Sequence, residues 1–342
     1  MNGEKEYPAA LEVQGLSVEI PTRRGIVRAV TDVSFKVRKG ETLCLVGESG
    51  CGKSMTAMGV MSLLPALAHR RAKKLMAAGK DLTDLSAQQI REIRGDTISM
   101  IFQEPMTALN PLFTIGDQIV DVLCQHRNIS RNEARTRAIE LLQKVRLPDP
   151  ERRLDQYPHE QSGGQRQRIL IAMALICGPE VLIADEPTTA LDATVQLELL
   201  RLLKYLQMEF GMGMLFITHD LGVVANIADN VAVMYGGRIV EYGPTRDVLR
   251  APRHPYTKAL IDCLPAVGTR PRTPLPVIKG SATPVLGEAT GCTFRERCAQ
   301  ASSACEGDSA IQVRNVSVSH YARCIRMDAS GVYTRPLEDA LQ

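Results

Sequence analysis

The sequence predicts an α/β domain with a buried parallel sheet and a ligand site at its strand ends, followed by a smaller C-terminal extension. Three observations predict it. Leu43-Cys44-Leu45-Val46 is a short apolar run leading directly into a glycine-rich segment, residues 47–54, after which the pattern turns helical. Two further apolar runs, residues 181–184 and 214–217, end at polar residues, as strands do where a doubly wound sheet binds its ligand. Beyond Pro265 the texture changes: Pro265, Pro271, Pro274, Pro276 and Pro284 interrupt a stretch of little periodicity, which marks a domain boundary.

Strand, glycine loop and helix make the first α/β unit, and the helix is expected to run from Ser54 to Pro65, whose ring removes a backbone donor. Ser130, with Glu133 three residues on, reads as a capping box. Ile139, Leu142 and Val145 then recur at helical spacing up to Pro148, so the middle of the chain is helical. Gly236-Gly237, between residues 231–235 and 238–242, is a hairpin turn. No internal repeat or low-complexity tract interrupts this order.

Composition excludes several classes of function. A net charge of +3 gives no broad basic field, so nucleic acid is not an expected partner. The densest basic run, Arg70, Arg71, Lys73 and Lys74, reads as a solvated loop. Residues 1–7 are short and polar, without the apolar stretch of a secretory signal, so the chain is expected in the cytosol. The apolar segments 57–68 and 169–184 are broken by Pro65 and by Gly178-Pro179-Glu180, short of the roughly 20 residues a bilayer requires. Membrane association would therefore go through partners. The 9 cysteines of a cytosolic chain are not expected to form disulfides. Cys44, Cys51, Cys124, Cys177 and Cys263 are scattered, whereas Cys292, Cys298, Cys305 and Cys324 crowd the end of the chain.

Gly47-Glu48-Ser49-Gly50-Cys51-Gly52-Lys53-Ser54 is a P-loop pattern in its required context, after a strand and before a helix. Its glycines let the backbone curl so that amide N–H groups face phosphate oxygens, and the helix N-terminus adds partial positive charge. Lys53 is suited to the β- and γ-phosphates and the Ser54 hydroxyl to Mg²⁺. Asp185, closing the run Val181-Leu182-Ile183-Ala184, supplies the Mg²⁺ carboxylate that the second half of the site needs. Glu186 stands next to it, where it can orient or deprotonate the attacking water.

With these residues in place the chain resembles the ATP-binding-cassette (ABC) family across residues 11–265. Ser162-Gly163-Gly164-Gln165 resembles its signature motif, which in the family contacts the γ-phosphate held by the other subunit. Gln103, after Met100-Ile101-Phe102, resembles the glutamine that senses Mg²⁺ and the transporter partner. Ala190-Leu191-Asp192 resembles the D-loop and His219 the switch histidine. The resemblance implies a RecA-like core with an antiparallel β region, a helical subdomain at about residues 96–175 within a cassette of residues 1–265, and an extension at 266–342. It also implies catalytic roles for Glu186, His219 and Gln103, with ATP and Mg²⁺ as cofactors. Two positions depart from the pattern: Gln161 stands where the signature has a hydrophobic residue, and Ile20 where an aromatic stacks on adenine.

The tail narrows the resemblance. His254-Pro255-Tyr256-Thr257-Lys258-Ala259-Leu260 and Gly291-Cys292-Thr293-Phe294-Arg295-Glu296-Arg297-Cys298 are similar to the C-terminal region of ATPases that serve dipeptide, oligopeptide and nickel importers. That implies a peripheral subunit on the cytoplasmic face of a bacterial inner membrane. Its implied partners are a sister ATPase, two permeases and an extracytoplasmic peptide-binding protein, with two cassettes closing on two ATP molecules. Nickel or another solute as cargo, and a soluble ABC ATPase of DNA repair or translation, are the alternatives. The gaps between Cys292, Cys298, Cys305 and Cys324 lack the Cys-x-x-Cys knuckle of structural zinc. Four thiolates suit a [4Fe–4S] cluster, which the resemblance implies; zinc and free thiols remain open.

Overall fold

Burial separates the strands of this chain into two sheets. The computed structural model describes residues 9–103, 108–189, 191–264, 276–282, 285–288, 290–307 and 311–327. The N-terminal segment 1–7, Ala190 of the D-loop pattern and the boundary at Pro265 lie outside the described residues.

β1 (Ala9–Thr22) and β2 (Gly25–Arg38) form an antiparallel ribbon that buries Leu11, Val13, Val33 and Phe35. β3 (Thr42–Val46) is buried at every position and feeds the glycine loop and α1 (Lys53–Met61). Ser62 ends that helix in the left-handed region at φ 53°, short of the expected stop at Pro65. β4 (His69–Arg71), β5 (Lys74–Ala77) and β6 (Lys80–Asp81) extend the first sheet on the β1 side. The basic run is therefore not a solvated loop. Arg70 donates to the carbonyls of Gly59, Leu82 and Thr83, and Lys74 pairs with Glu12 at 2.8 Å, so two of its charges tie strand to helix and strand to strand.

After α2 (Ala87–Ile93), β7 (Ile98–Ile101) enters a second, eight-stranded sheet. The helical layer follows with α3 (Ile115–His126), α4 (Arg131–Lys144), α5 (Pro150–Leu154) and α6 (Gly163–Leu175). The range 96–175 thus holds one strand of the main sheet as well as these helices. At α4 only half of the expected capping box forms: Ser130 Oγ accepts from the Glu133 N–H, while the Glu133 carboxylate turns to Arg137 at 2.7 Å. β8 (Val181–Asp185), α7 (Ala193–Phe210), β9 (Gly213–Thr218), α8 (Leu221–Ile227), β10 (Asn230–Tyr235) and β11 (Arg238–Pro244) complete the cassette, with the hairpin at Gly236-Gly237 as expected.

Strands β10, β3, β9, β8 and β7 are parallel neighbours in that order. Alternate residues serve two cores. Cys44, Val46, Leu182, Ala184, Met214 and Phe216 pack into one, and Leu43, Leu45, Val181, Ile183, Leu215 and Ile217 into the other. A sheet covered on both faces needs apolar residues at every position, which is why these strands read as unbroken apolar runs.

α9 (Thr245–Arg250) and α10 (Pro255–Asp262) lead to the extension, whose β12 (Arg314–Asn315) and β13 (Tyr321–Ala322) continue the main sheet beyond β11. Glu241 of β11 is fully buried at this junction. Its carboxylate accepts from the Arg253 and His254 N–H groups at 2.7 and 2.8 Å and stands 2.9 Å from His320 Nε2, so its buried charge is met from both the cassette and the extension.

Candidate active site

The parallel strands all end on the same side of the sheet, and the P-loop, Gln103, Asp185, Glu186 and His219 sit at or just past those ends. The loop after β3 curls so tightly that side chains are excluded. A Cβ on Gly52, which has φ 108°, would lie 2.3 Å from the Ala29 carbonyl oxygen, and one on Gly47 would lie 2.3 Å from that of Met234. Cys51 is buried beneath the loop, and its carbonyl accepts from the Gly237 N–H at 3.0 Å. Lys53, 5% exposed, opens α1, and its ammonium donates to the carbonyls of Gly47 and Glu48 at 2.8 and 3.0 Å. An anionic ligand in the loop offers this ammonium better acceptors than two neutral carbonyls.

Asp185, at the end of β8, is nearly buried, and burial raises its carboxyl above the usual range. Ser54 Oγ donates to Asp185 Oδ1 at 3.1 Å. A hydroxyl facing a desolvated carboxylate is a hard-oxygen pair that a divalent cation stabilises, so the two residues fit Mg²⁺.

Glu186 follows in a left-handed conformation at φ 47°, uncommon for a non-glycine residue, which turns its carboxylate back over the strand ends. Three side chains converge on that carboxylate: Gln103 Nε2 at 3.1 Å from the loop after β7, Thr189 Oγ1 at 3.1 Å, and His219 Nδ1 at 3.2 Å from the end of β9. The structure thus brings Gln103, Asp185, Glu186 and His219 together with the P-loop. Thr189 and Gln167 escaped the sequence reading. Gln167 is buried on α6 and donates to the Pro187 carbonyl at 2.8 Å, linking the signature helix to the turn that carries Glu186.

Ser162 is the N-cap of α6. Its hydroxyl accepts from the Gln165 N–H at 3.3 Å while the Gln165 side chain accepts from the Ser162 N–H at 2.9 Å, a complete capping box. A Cβ on Gly163 would meet only open space. None of Ser162, Gly163, Gly164 and Gln165 lines the cavity over the P-loop. Gln161 is buried but satisfied, with its amide nitrogen donating to Gln156 Oε1 at 2.9 Å and its oxygen accepting from Arg153 at 3.2 Å. A polar trio replaces the expected apolar plug.

The cavity over the P-loop is lined by Val27 and Ala29 of β2 and by Val285 of the extension, but not by Ile20. Val285 is held there because its carbonyl accepts from the Arg28 N–H at 2.9 Å, while the Gly287 N–H donates to the Ile26 carbonyl at 3.0 Å. Tyr256, inside the motif of residues 254–260, also reaches the loop, its hydroxyl accepting from the Glu48 N–H at 2.9 Å.

Cys292, Cys298, Cys305 and Cys324 line one small pocket together with His254 and Phe294. Burial, with the other three cysteines nearby, pushes the Cys292 thiol up to about 11, and burial raises Cys298 and Cys324 as well. Among the described residues no three Cys, His, Asp or Glu side chains are gathered closely enough to hold a single metal ion. Tetrahedral zinc, with bonds of about 2.3 Å, would draw its four sulfurs to within about 4 Å of one another. Among the described residues no helix is long and apolar enough to cross a membrane.

Residues 30–189 match the family described as ABC transporter, and residues 240–305 the one described as oligopeptide/dipeptide transporter, C-terminal region. The chain is 49% identical over 327 residues to a putative peptide import ATP-binding protein of Brucella melitensis, covering 92% of this chain and 96% of that one. It is 48% identical over 297 residues to the dipeptide transport ATP-binding protein of Bacillus subtilis, covering 86% and 88%. Among solved structures, an ATP-binding cassette dimer in a post-hydrolysis state with ADP and Pi is 27% identical and superimposes with a TM-score of 0.61, covering 69% of this chain and 99% of that one.

Proposed function

From the premise that the chain belongs to the ABC transporter family, in its oligopeptide/dipeptide branch, we propose that it is the ATP-hydrolysing subunit that powers import of di- and oligopeptides through a membrane transporter. The observation that carries the ATPase reading is the convergence of Gln103, Thr189 and His219 on the Glu186 carboxylate, beside the P-loop.

In this mechanism residues 47–54 bind the phosphates, with Lys53 leaving its two carbonyl partners for phosphate oxygens. Ser54 and Asp185, with Gln103 beside them, would hold Mg²⁺, which would supply positive charge to the transferred phosphoryl group. Glu186 orients the attacking water and accepts its proton, while Gln103 and His219 hold the carboxylate in place and sense the γ-phosphate. Val27 and Val285 offer the adenine an apolar edge of the cavity in place of the aromatic missing at Ile20. Ser162, Gly163, Gly164 and Gln165 face the nucleotide of a sister ATPase, which makes the working unit a dimer.

The subunit sits on the cytoplasmic face of the inner membrane, bound to two permeases that receive peptide from an extracytoplasmic binding protein. Residues 1–265 form the cassette and 266–342 the extension. Cys292, Cys298, Cys305 and Cys324 would hold a [4Fe–4S] cluster that staples the extension, a reading supported by the four thiols lining one pocket. Such a cluster supplies a cationic centre on which all four cysteines are bound as thiolates. ATP hydrolysis by the assembled transporter in vesicles tests the reading. Stimulation by peptide together with the binding protein is expected, and hydrolysis indifferent to every peptide would refute peptide import.

A further inference from the structure

Arg297 belongs to the extension, one residue before Cys298, yet its guanidinium ends at the P-loop. Its two terminal nitrogens donate to the two Glu48 carboxylate oxygens at 2.5 and 2.9 Å. Nε donates to the Lys279 carbonyl at 2.8 Å, and the remaining hydrogens reach the Gly280 carbonyl at 3.3 Å and the Tyr235 hydroxyl at 3.4 Å. The guanidinium also lies over the Tyr235 ring, 5.7 Å from its centroid. The Arg297 side chain is only 6% exposed. Of the acceptors around this buried cation, Glu48 alone is charged.

Glu48 is the only anionic side chain within residues 47–54. Its carbonyl receives Lys53 and its N–H is bound by Tyr256, so its main chain is fixed from both sides. A bare carboxylate here would oppose a triphosphate bound by the neighbouring amides, because like charges at short range in a partly buried site are weakly screened. A buried bidentate guanidinium cancels that charge and holds the carboxylate turned toward the extension.

We propose that Arg297 is a positioning residue for ATP binding, through which the C-terminal extension neutralises and pins Glu48 so that the P-loop meets its triphosphate without a competing negative charge. The proposal rests on residues 47–54 being the ATP site. It separates from a purely mechanical tie by one property: if charge is what matters, losing the carboxylate compensates for losing the guanidinium.

The test measures the dissociation constant of a fluorescent ATP analogue for the full-length chain, purified anaerobically. Arg297→Met is expected to weaken binding on the order of tenfold, and less so at high salt. Glu48→Gln supplies the reference, and the double variant Arg297→Met/Glu48→Gln is expected to bind within about twofold of Glu48→Gln alone. Unchanged affinity in Arg297→Met overturns the proposal. So does a double variant as weak as Arg297→Met, which is also what a misfolded extension would produce. Lys53→Ala is the control for the underlying reading. A wild-type chain that binds no ATP defeats the site assignment itself, whereas normal binding lost in Lys53→Ala, with no coupling between residues 48 and 297, defeats only the role of Arg297.

Discussion

Replacing Glu186 by Gln removes one charge from the site while keeping its shape, and the structure sets the size of the effect. The carboxylate accepts from Gln103, Thr189 and His219 at 3.1, 3.1 and 3.2 Å. A glutamine oxygen retains part of this acceptance, so the local cost is about one hydrogen bond, roughly 1 kcal/mol, too little to unfold a domain. Glutamine also keeps a Cβ on the left-handed backbone at φ 47°, so no backbone strain is released and the turn stays as it is. What disappears is the base that receives a proton from water. General-base catalysis contributes about 10²- to 10⁴-fold, equivalent to about 2.7–5.4 kcal/mol in the barrier. Phosphate release by the assembled transporter should fall by that factor, while the dissociation constant for ATP stays within about threefold, since neither Lys53 nor Ser54 is touched. Turnover within tenfold of wild type, at unchanged affinity, would refute Glu186 as the base.

Ser162→Arg should leave ATP binding by the isolated chain intact but block hydrolysis in the complex, because in the proposed dimer its bulk would enter the space facing the sister nucleotide. Pairing it with a sister subunit whose catalytic glutamate is disabled, and finding normal turnover, would remove the composite site. Anaerobic chain should carry about four iron and four acid-labile sulfide, and Cys298→Ser should lose both with the P-loop still binding ATP; stoichiometric zinc without iron would overturn the cluster. Lys74 at 2.8 Å and Lys36 at 3.0 Å hold the Glu12 carboxyl well below its ordinary range, down to about 2. Its folded value is depressed, so its stabilisation is present above the unfolded value of about 4.5 and is lost as pH falls toward 2. Glu12→Gln should flatten the acid limb of a thermal melting series, and an unchanged limb would assign acid sensitivity elsewhere.

The strands legible in the sequence were the ones whose chemistry is uniform. β3, β8 and β9 are covered on both faces, so each is an unbroken apolar run. β2 alternates cleanly at Val33, Phe35 and Val37, a signal the sequence reading passed over, whereas β1 went unread because its alternation is broken. Register shifts between Ala9 and Leu11, Val13 and Leu16, and Leu16 and Val18 reset the period of two before it repeats. The site divides in the same way. Residues 47–54, Asp185 and Glu186 announce themselves because each motif is local to one loop. Thr189, Gln167 and Val285 do not, since a lone threonine, glutamine or valine carries no signal until the fold sets it against the site.

The extension shows why such contacts arise. Among its described residues it buries few large side chains of its own, and its strands β12 and β13 are two residues each, too short to stand alone. Its order must therefore be borrowed. Phe294 packs at 5.1 and 5.2 Å, ring to ring, against Tyr235 and Tyr256; β13 pairs with β11; and His320 completes the shell of the buried Glu241. Tyr235, Glu241 and Tyr256 lie on β10, β11 and α10, and the Tyr256 hydroxyl also accepts from the Glu48 N–H. Surfaces that fold the extension thus border the phosphate loop. A change in the cysteine pocket, which includes Phe294 and adjoins Arg297, has a short packed route to Glu48. Loss of the proposed cluster should appear first as weakened nucleotide binding, before any general loss of stability, because Arg297 and Val285 reach the loop and its cavity directly, whereas among the described buried residues of the two cores only Phe294 comes from the extension. Titrating iron removal against ATP affinity and against melting temperature separates the two, and a melting transition that collapses while affinity holds would contradict this order.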